Sequence, residues 1–133
     1  LQCLAAIESF AEYFVLKKYV KDLKEKNRLQ QQNSHQFGTD GLITTAFANL
    51  LRSLWFNEPT DSMIRYFRSL IGHFNGDYRT STQQDAQELL VWLLDKIHED
   101  LNLATSRKYK DVKVSIFQAI LNILKYALKK EIK

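Results

Sequence analysis

The sequence predicts an all-α protein, and three observations support this prediction. Its 133 residues include only four glycines and one proline, the residues that interrupt helices most often. No alternation of apolar and polar residues typical of a strand persists along the chain. Apolar residues instead recur every three to four positions, which places them on one side of a helix. With a hydrophobic content of 45%, a domain of this length can bury a real core.

The first helix is predicted over residues 1–26. Its inward side chains are expected to be Leu4, Ile7, Phe10, Ala11, Phe14 and Val15. The segment ends in the charged run "KKYVKDLKEKNR", and the polar stretch "LQQQNSHQFG" that follows is interpreted as a loop.

The second helix has the clearest apolar stripe in the chain. Asp40 is expected to cap it, since an aspartate side chain accepts hydrogen bonds from the first free backbone N–H groups of a helix. The stripe comprises Leu42, Ile43, Ala46, Phe47, Leu50, Leu51, Leu54 and Trp55. The stretch "NEPTD" breaks the pattern, and Thr60 or Asp61 begins a third helix that runs to about Ile71. The stretch "GHFNGDYRTST" is then predicted to be a loop.

The last predicted helix contains "QQDAQELLVWLLDKIHEDLN", residues 83–102. On a helical wheel its core face comprises Ala86, Leu90, Leu93, Leu94, Ile97 and Leu101. The opposite face is acidic and comprises Asp85, Glu88, Asp95 and Glu99. Thr82 is expected to cap the helix, with Asp85 three residues later in a pattern close to a capping box. The acids near the start either complement the helix dipole or meet a partner, and the periodicity alone leaves both interpretations open.

The charges divide the chain at about residue 106. The net charge is +4, but residues 107–133 hold eight Lys or Arg against two acids, which leaves eleven against thirteen in residues 1–106. Nucleic-acid binding needs a basic face interleaved with exposed aromatic residues, and the first part offers neither. We therefore expect no nucleic-acid partner, and we interpret residues 107–133 as a separate basic amphipathic tail.

The single cysteine, Cys3, excludes an internal disulfide framework and a zinc site built from several cysteines. A reducing compartment, cytoplasmic or nuclear, is the expected location. No apolar run approaches the ~18 residues that a membrane span needs, and no secretory leader is evident, so we expect a soluble chain. The histidines His35, His73 and His98 lack the spacing of metal ligands, and we predict neither a metal nor another cofactor.

Four stretches together resemble the ubiquitin-specific protease family of cysteine deubiquitinases. They are "LQCL", "GLITTAFANLLRSLW", "FNG" and "QQDAQELLVWLLDKIHEDLN", which occur in the family's order within residues 1–103. The family's Cys box reads approximately N-T-C-[FY]-M-N-[SA]-x-L-Q-C-L, so the resemblance places the nucleophile just before Leu1. Cys3 then matches the second, packing cysteine of that box, in agreement with its position at an apolar helix start. The His box belongs to the family's C-terminal part.

The resemblance implies that residues 1–106 are a partial catalytic domain, the helical thumb subdomain of a papain-like cysteine protease fold. Such a protease hydrolyses the isopeptide bond at the C-terminus of ubiquitin, and its partners are ubiquitin and ubiquitinated proteins. None of the catalytic residues falls within this sequence, so we expect the isolated chain to be inactive. The alternative is a non-catalytic helical module that binds ubiquitin or another protein.

The resemblance also implies a role for the acidic helix start. In the family this box lines the cleft that accepts the extended ubiquitin tail, Leu-Arg-Leu-Arg-Gly-Gly. Carried over, Gln83, Asp85 and Glu88 are the expected contacts of that tail. A carboxylate accepts hydrogen bonds from arginine or backbone N–H, and an amide both donates and accepts. Trp92 is expected to pack on the loop before the helix.

The tail, residues 107–133, departs from the family's pattern. Its apolar residues surround most of a helix, and its lysines gather at the end. Such a helix packs on apolar surface, enters a calmodulin-type groove or lies on a membrane surface. An altered splice product or gene model is a further explanation.

Overall fold

A computed structural model describes residues 2–32 and 38–103 of the chain. Every regular element in these residues is helical, which confirms the all-α prediction. The α-helices are α1 (Gln2–Ala5), α2 (Glu8–Val15), α3 (Tyr19–Gln32), α4 (Leu42–Trp55), α5 (Asp61–Phe74) and α6 (Ala86–Leu101), with a 3-10 helix at Gly76–Tyr78. No helix of the described part has the length and apolarity required to cross a bilayer. The predicted tail and His35 lie outside the described residues.

Helix α4 is the centre of the fold, since it packs against α1, α2, α5 and α6. Its buried side chains include five of the predicted stripe: Ile43, Ala46, Phe47, Leu50 and Leu51. Leu54 is half-buried, and the expectation that Leu42 and Trp55 face the core is wrong, because these residues end the helix and are 46% and 47% exposed. The helical period therefore identifies the core-facing side, whereas neighbouring elements decide how far along the helix burial extends.

Aromatic rings join three of the helices. The Phe47 ring centroid lies 5.2 Å from that of Phe14, 6.0 Å from that of Phe10 and 6.3 Å from that of Phe67. Phe14 and Phe47 meet edge to face, a favoured arrangement for aromatic side chains. Because burial of one phenylalanine contributes about 1.5–3 kcal/mol, this cluster is a main stabilising contact between α2, α4 and α5.

The prediction of one helix over residues 1–26 is wrong, because the chain turns twice in that segment. Ile7 has an extended backbone, which separates α1 from α2. After α2, Lys17 adopts a left-handed conformation with φ of 58°. The N–H of Lys18 bonds to the carbonyl of Tyr13 and that of Lys17 bonds to the carbonyl of Phe14, each at 3.0 Å, which is a Schellman motif. Glycine usually occupies this left-handed position after a helix. Because residue 17 is a lysine, no local pattern predicts that α2 ends here.

The reversal at Lys17 brings the first turn of α3 into contact with the end of α2. The Tyr13 hydroxyl donates a hydrogen bond to the Asp22 carboxylate, which is buried. On its other side α3 packs against α6. Helix α3 continues to Gln32, so the interpretation of the whole stretch "LQQQNSHQFG" as a loop is wrong for its first four residues. Glutamine has good helix propensity, and polarity alone does not end a helix.

Helix α4 begins without the predicted cap. Asp40 lies two residues before the first helical residue, Leu42, and Gly41 occupies the N-cap position with no side-chain cap bond. The Thr39 hydroxyl instead accepts a hydrogen bond from the Ile43 N–H at 3.1 Å. Asp40 and Gly41 both have positive φ, which turns the chain so that Thr39 reaches the helix start.

Hydrogen bonds to Asp100 hold the turn before α4 against the end of α6. Its carboxylate is 1% exposed. One oxygen accepts the Thr39 N–H at 2.5 Å, and the other accepts the hydroxyls of Thr39 and Thr44, each at 2.7 Å. Gly38 lies directly over it, since a Cβ at this position would be 2.5 Å from the Asp100 oxygen. Asp100 does not stand out in the sequence, because the helical period gives no reason to expect a buried acid there.

The ends of α5 and α6 differ from the prediction in detail. Thr60 is confirmed as a cap, because its hydroxyl accepts the Met63 N–H. Helix α5 extends to Phe74, three residues beyond the expected end, so the expected loop begins later. On α6, four of the predicted core residues are buried and Leu90 is half-buried, whereas Ala86 is exposed. The first turn of α6 therefore projects beyond the core.

We predict that replacing Asp100 with alanine lowers the free energy of unfolding by about 2–4 kcal/mol, since two threonine hydroxyls and a backbone N–H lose a charged acceptor inside the fold. Urea denaturation measures the change. Asp95→Asn is the matched control, because Asp95 is an exposed acid on the same helix and should change stability by less than ~0.5 kcal/mol. Equal losses in the two variants would contradict an anchoring role for Asp100.

Candidate functional site

The three predicted contact residues lie together at the exposed start of α6. Gln83 and Asp85 precede the helix, and Glu88 belongs to its first turn. All three side chains are exposed, as a binding surface requires. The other end of the same helix is buried and held by Asp100. The acidic helix start is therefore presented to solvent by an element that is anchored at its far end.

Asp85 is the N-cap of α6. Its Oδ1 atom accepts hydrogen bonds from the N–H of Gln87 at 2.7 Å and, more weakly, from that of Glu88 at 3.4 Å. The expectation that Thr82 caps this helix is wrong. The Thr82 hydroxyl lies 2.6 Å from that of Thr80 and accepts from the Gln84 amide at 3.1 Å. Because Asp85 occupies the N-cap position itself, its carboxylate accepts the first N–H groups of α6, and the Thr82 hydroxyl does not cap the helix.

Capping uses only one oxygen of the Asp85 carboxylate. Within residues 2–32 and 38–103, no donor reaches its Oδ2 atom, and the side chain is exposed. An ionised carboxylate has about four lone-pair positions, so the second oxygen can accept from an external donor while the cap stays intact. The structural and the binding interpretations of Asp85 are therefore compatible.

The loop before α6 is held by side-chain contacts. Asn75 Oδ1 accepts the N–H of Asp77 at 3.1 Å, and the Gln84 amide donates to the carbonyl of Asp77 at 3.0 Å. The rings of Tyr78 and Trp92 lie 5.9 Å apart, which confirms the expectation that Trp92 packs on this loop. Gln84 and Trp92 therefore shape the loop.

The pKa of the Tyr78 phenol depends on the charges around it. Partial burial raises the pKa of the Tyr78 phenol, and the carboxylates of Glu88, Asp77 and Asp85 raise this pKa further. Three acids and one phenol thus form a cluster, which we call the acidic cluster (Asp77, Tyr78, Asp85 and Glu88). Asp77 and Tyr78 were not among the predicted site residues, because they lie in a stretch where no periodicity indicates which side chains approach α6.

The described residues bring no nucleophile and base together. Cys3 is exposed on α1, so the expectation that it packs inside is wrong. His73 lies near the end of α5, His98 lies on α6, and both are exposed. Among residues 2–32 and 38–103, no group of three or more His, Cys, Asp or Glu side chains is placed to hold a metal ion.

Comparison with known proteins gives a consistent result. The family model described as ubiquitin carboxyl-terminal hydrolase matches residues 1–131. The chain is 40% identical over 103 residues to ubiquitin carboxyl-terminal hydrolase 31 of Homo sapiens, which covers 77% of this chain and 8% of that protein. It is 34% identical over 113 residues to ubiquitin carboxyl-terminal hydrolase 4 of Mus musculus, and this match covers 85% of this chain and 11% of that protein. The chain is also 34% identical over 117 residues to ubiquitin carboxyl-terminal hydrolase 12 of the yeast Saccharomyces cerevisiae. This match covers 84% of this chain and 9% of that protein. The chain thus spans about a tenth of the length of these relatives.

We predict that Glu88→Gln lowers the pKa of Tyr78 toward the ordinary tyrosine value of about 10, because it removes a negative charge that disfavours the phenolate. Since the folded pKa is raised, the stability linked to protonated Tyr78 is present below about pH 10 and is lost as the pH rises through the folded pKa. Phenolate absorbance measures the titration, and Tyr78→Phe assigns the signal among the six tyrosines.

The control for this titration is Glu58→Gln, which removes an exposed acid between α4 and α5. This variant should leave the Tyr78 titration unchanged. A Tyr78 pKa that does not respond to Glu88→Gln would mean that the acidic cluster does not exist in solution.

Proposed function

The chain belongs to the ubiquitin carboxyl-terminal hydrolase family, and we propose that it is part of the catalytic domain of a ubiquitin-specific cysteine protease. Such an enzyme hydrolyses the isopeptide bond at the C-terminus of ubiquitin and acts on ubiquitinated proteins. In this proposal residues 1–106 form the helical thumb of that domain. The single cysteine supports a reducing location, the cytoplasm or the nucleus.

The free Oδ2 atom of Asp85 is the observation that carries this proposal. A cap that is satisfied through Oδ1 alone presents a fixed carboxylate oxygen to solvent. The ubiquitin tail approaches as an extended Leu-Arg-Leu-Arg-Gly-Gly strand, which offers backbone N–H groups and two guanidinium groups. Hydrogen bonds from such donors to a carboxylate are short and about twice as strong as those between neutral groups.

The acidic cluster adds a favourable field for the same ligand. Glu88 and Asp77 lie close enough to Tyr78 to raise its pKa, so the negative charges are concentrated at one place on the surface. A cationic strand is attracted there, with a strength that falls as salt is added. Gln83 lies beside the cluster, and in this proposal its exposed amide contacts the backbone of the strand.

A second candidate function is a non-catalytic binding module, and the exposed apolar side chains favour it. Trp55 and Phe56 at the end of α4 are 47% and 54% exposed, and Tyr66 on α5 is 54% exposed. Aromatic residues at the surface are enriched in protein interfaces. In the first proposal these side chains pack against the rest of a catalytic domain, and in the second they contact another protein.

We predict that the 133-residue chain alone releases no fluorophore from a ubiquitin C-terminal amide substrate. The family resemblance places the nucleophile before Leu1, and catalysis by cysteine requires a thiolate beside a base. Fluorescence at high chain concentration measures the rate, with Cys3→Ser as the matched variant. Turnover that Cys3→Ser abolishes would contradict the proposed role of this segment and would identify Cys3 as a nucleophile.

We predict that Asp85→Asn lowers kcat/KM on ubiquitin substrates by roughly ten- to a hundredfold, as expected for loss of one charged hydrogen bond. The measurement uses a protein in which this chain is joined to the family's Cys and His boxes. Asparagine caps a helix about as well as aspartate, so the free energy of unfolding should change by less than ~0.5 kcal/mol.

Two further variants separate the charge from the cap. Asp85→Ser also retains a capping oxygen and should lose activity to a similar extent. Asp95→Asn removes an acid from the outer face of the same helix and should leave kcat/KM unchanged. Full activity in both Asp85 variants would limit Asp85 to capping.

A further inference from the structure

A second surface feature lies next to the acidic cluster and has the opposite charge. An open groove of about 500 Å³ lies between α5 and the end of the 3-10 helix, at Tyr78 and Arg79. Its lining includes three arginines, Arg65, Arg68 and Arg79, together with His73 and Ser69. No carboxylate of the described residues lines it. We call this feature the arginine groove.

The fold fixes the two walls of the arginine groove. Arg65 and Arg68 lie one turn apart on α5, and Arg79 stands on the opposite wall. The Arg79 Nε atom donates to the carbonyl of Gly72 at 3.4 Å. A Cβ on Gly72 would lie 3.2 Å from the Cα of Arg79, so glycine allows the loop backbone to approach the helix closely. Backbone packing at Gly72 therefore sets how closely the Arg79 wall approaches α5.

The charges of these arginines are not neutralised within the described part of the chain. In residues 2–32 and 38–103, no carboxylate lies within ion-pair distance of Arg65, Arg68 or Arg79. Some surface cations are paired, for example Arg28 with Glu25 at 2.7 Å and Lys96 with Glu99 at 2.8 Å. Lys21 and Lys24 on α3 are exposed and lie outside the arginine groove. The arginine groove therefore carries an uncompensated positive charge that is available to an external anion.

We propose that the arginine groove binds an acidic segment of a partner protein, through carboxylates that pair with Arg65, Arg68 and Arg79. The planar guanidinium group binds a carboxylate with two parallel hydrogen bonds, and three such groups on two walls match an extended peptide with several acids. The volume of the groove is within the range of specific ligand sites.

The surroundings favour a short acidic peptide over a nucleic acid. Tyr78 lines the arginine groove and also belongs to the acidic cluster, so positive and negative surfaces adjoin at this residue. A long phosphate backbone that crossed the groove would meet the carboxylates of Asp77 and Glu88 and be repelled. The cationic ubiquitin tail, in turn, is repelled by the groove. The two sites therefore select different ligands, and this inference does not rest on the proposed catalytic function.

Fluorescence anisotropy with the full chain tests the proposal. The probe is a labelled decapeptide that alternates Glu with Gly and Ser, and the reference peptide has Gln in place of each Glu. The acidic peptide should bind, and the Gln peptide should bind at least about tenfold more weakly, as expected for loss of charge-assisted hydrogen bonds. Added salt should weaken the binding of the acidic peptide.

Variants locate the site. The double change Arg65→Gln and Arg68→Gln should weaken binding by about tenfold or more. The double change Lys21→Gln and Lys24→Gln removes the same charge from exposed positions of α3 and should alter the Kd less than about twofold. Ser69→Glu places a negative charge in the groove and should also abolish binding. Thermal unfolding of each variant verifies that it is folded.

Three results would overturn the proposal. The first is equal affinity for the Glu and Gln peptides. The second is unchanged affinity in both the double arginine variant and Ser69→Glu. The third is preference for another anion, seen as tighter binding of a single-stranded oligonucleotide or of a phosphoserine peptide in which phosphates replace the carboxylates.

Discussion

The buried carboxylate of Asp100 is the contact on which the position of α6 against α4 depends, and with it the presentation of the candidate site. It lies near the end of α6, yet it accepts hydrogen bonds from Thr39 and Thr44, about sixty residues earlier in the chain. An isolated buried charge is very costly, so the acid is tolerated only where several donors surround it. Thr39, in the turn before α4, and Thr44, in the first turn of α4, supply those donors. One carboxylate thus joins the central helix to the last helix.

This anchoring explains how the candidate site is presented. Helix α6 is buried from Leu93 onward on one face and held at its C-terminal end, whereas its first turn is exposed. Its N-terminus therefore stands on a rigid element while Asp85 remains open to a ligand. Sites built on helices are more precisely positioned than sites on loops. The loop before α6 adds charges of both signs, because Asp77 lies next to Tyr78 and raises its pKa while Arg79 lines a groove with residues of α5. The acidic cluster and the arginine groove thus both include residues of the segment before α6.

Local patterns in the sequence predicted the features that depend on near neighbours. The all-α class, the core-facing side of α4 around Phe47 and Leu51, and the cap formed by Thr60 all follow from residues within a few positions of one another. The same is true of the exposed acidic start of α6, where Asp85 and Glu88 lie opposite the apolar face. Helical periodicity is a short-range property, so a single sequence is sufficient to reveal it.

The features that sequence reasoning missed depend on residues far apart in the chain. The chain reverses at Lys17, which has a left-handed conformation, and this reversal brings the Asp22 carboxylate to the Tyr13 hydroxyl. Asp100 is buried because donors from another segment surround it. The sequence by itself thus determined the helical class, the core-facing sides and the acidic helix start, since side-chain period and chemistry are local. Only the tertiary structure decided that residues 1–26 are divided by turns, which acids are buried and which arginines share a groove, since these follow from contacts that no local pattern encodes.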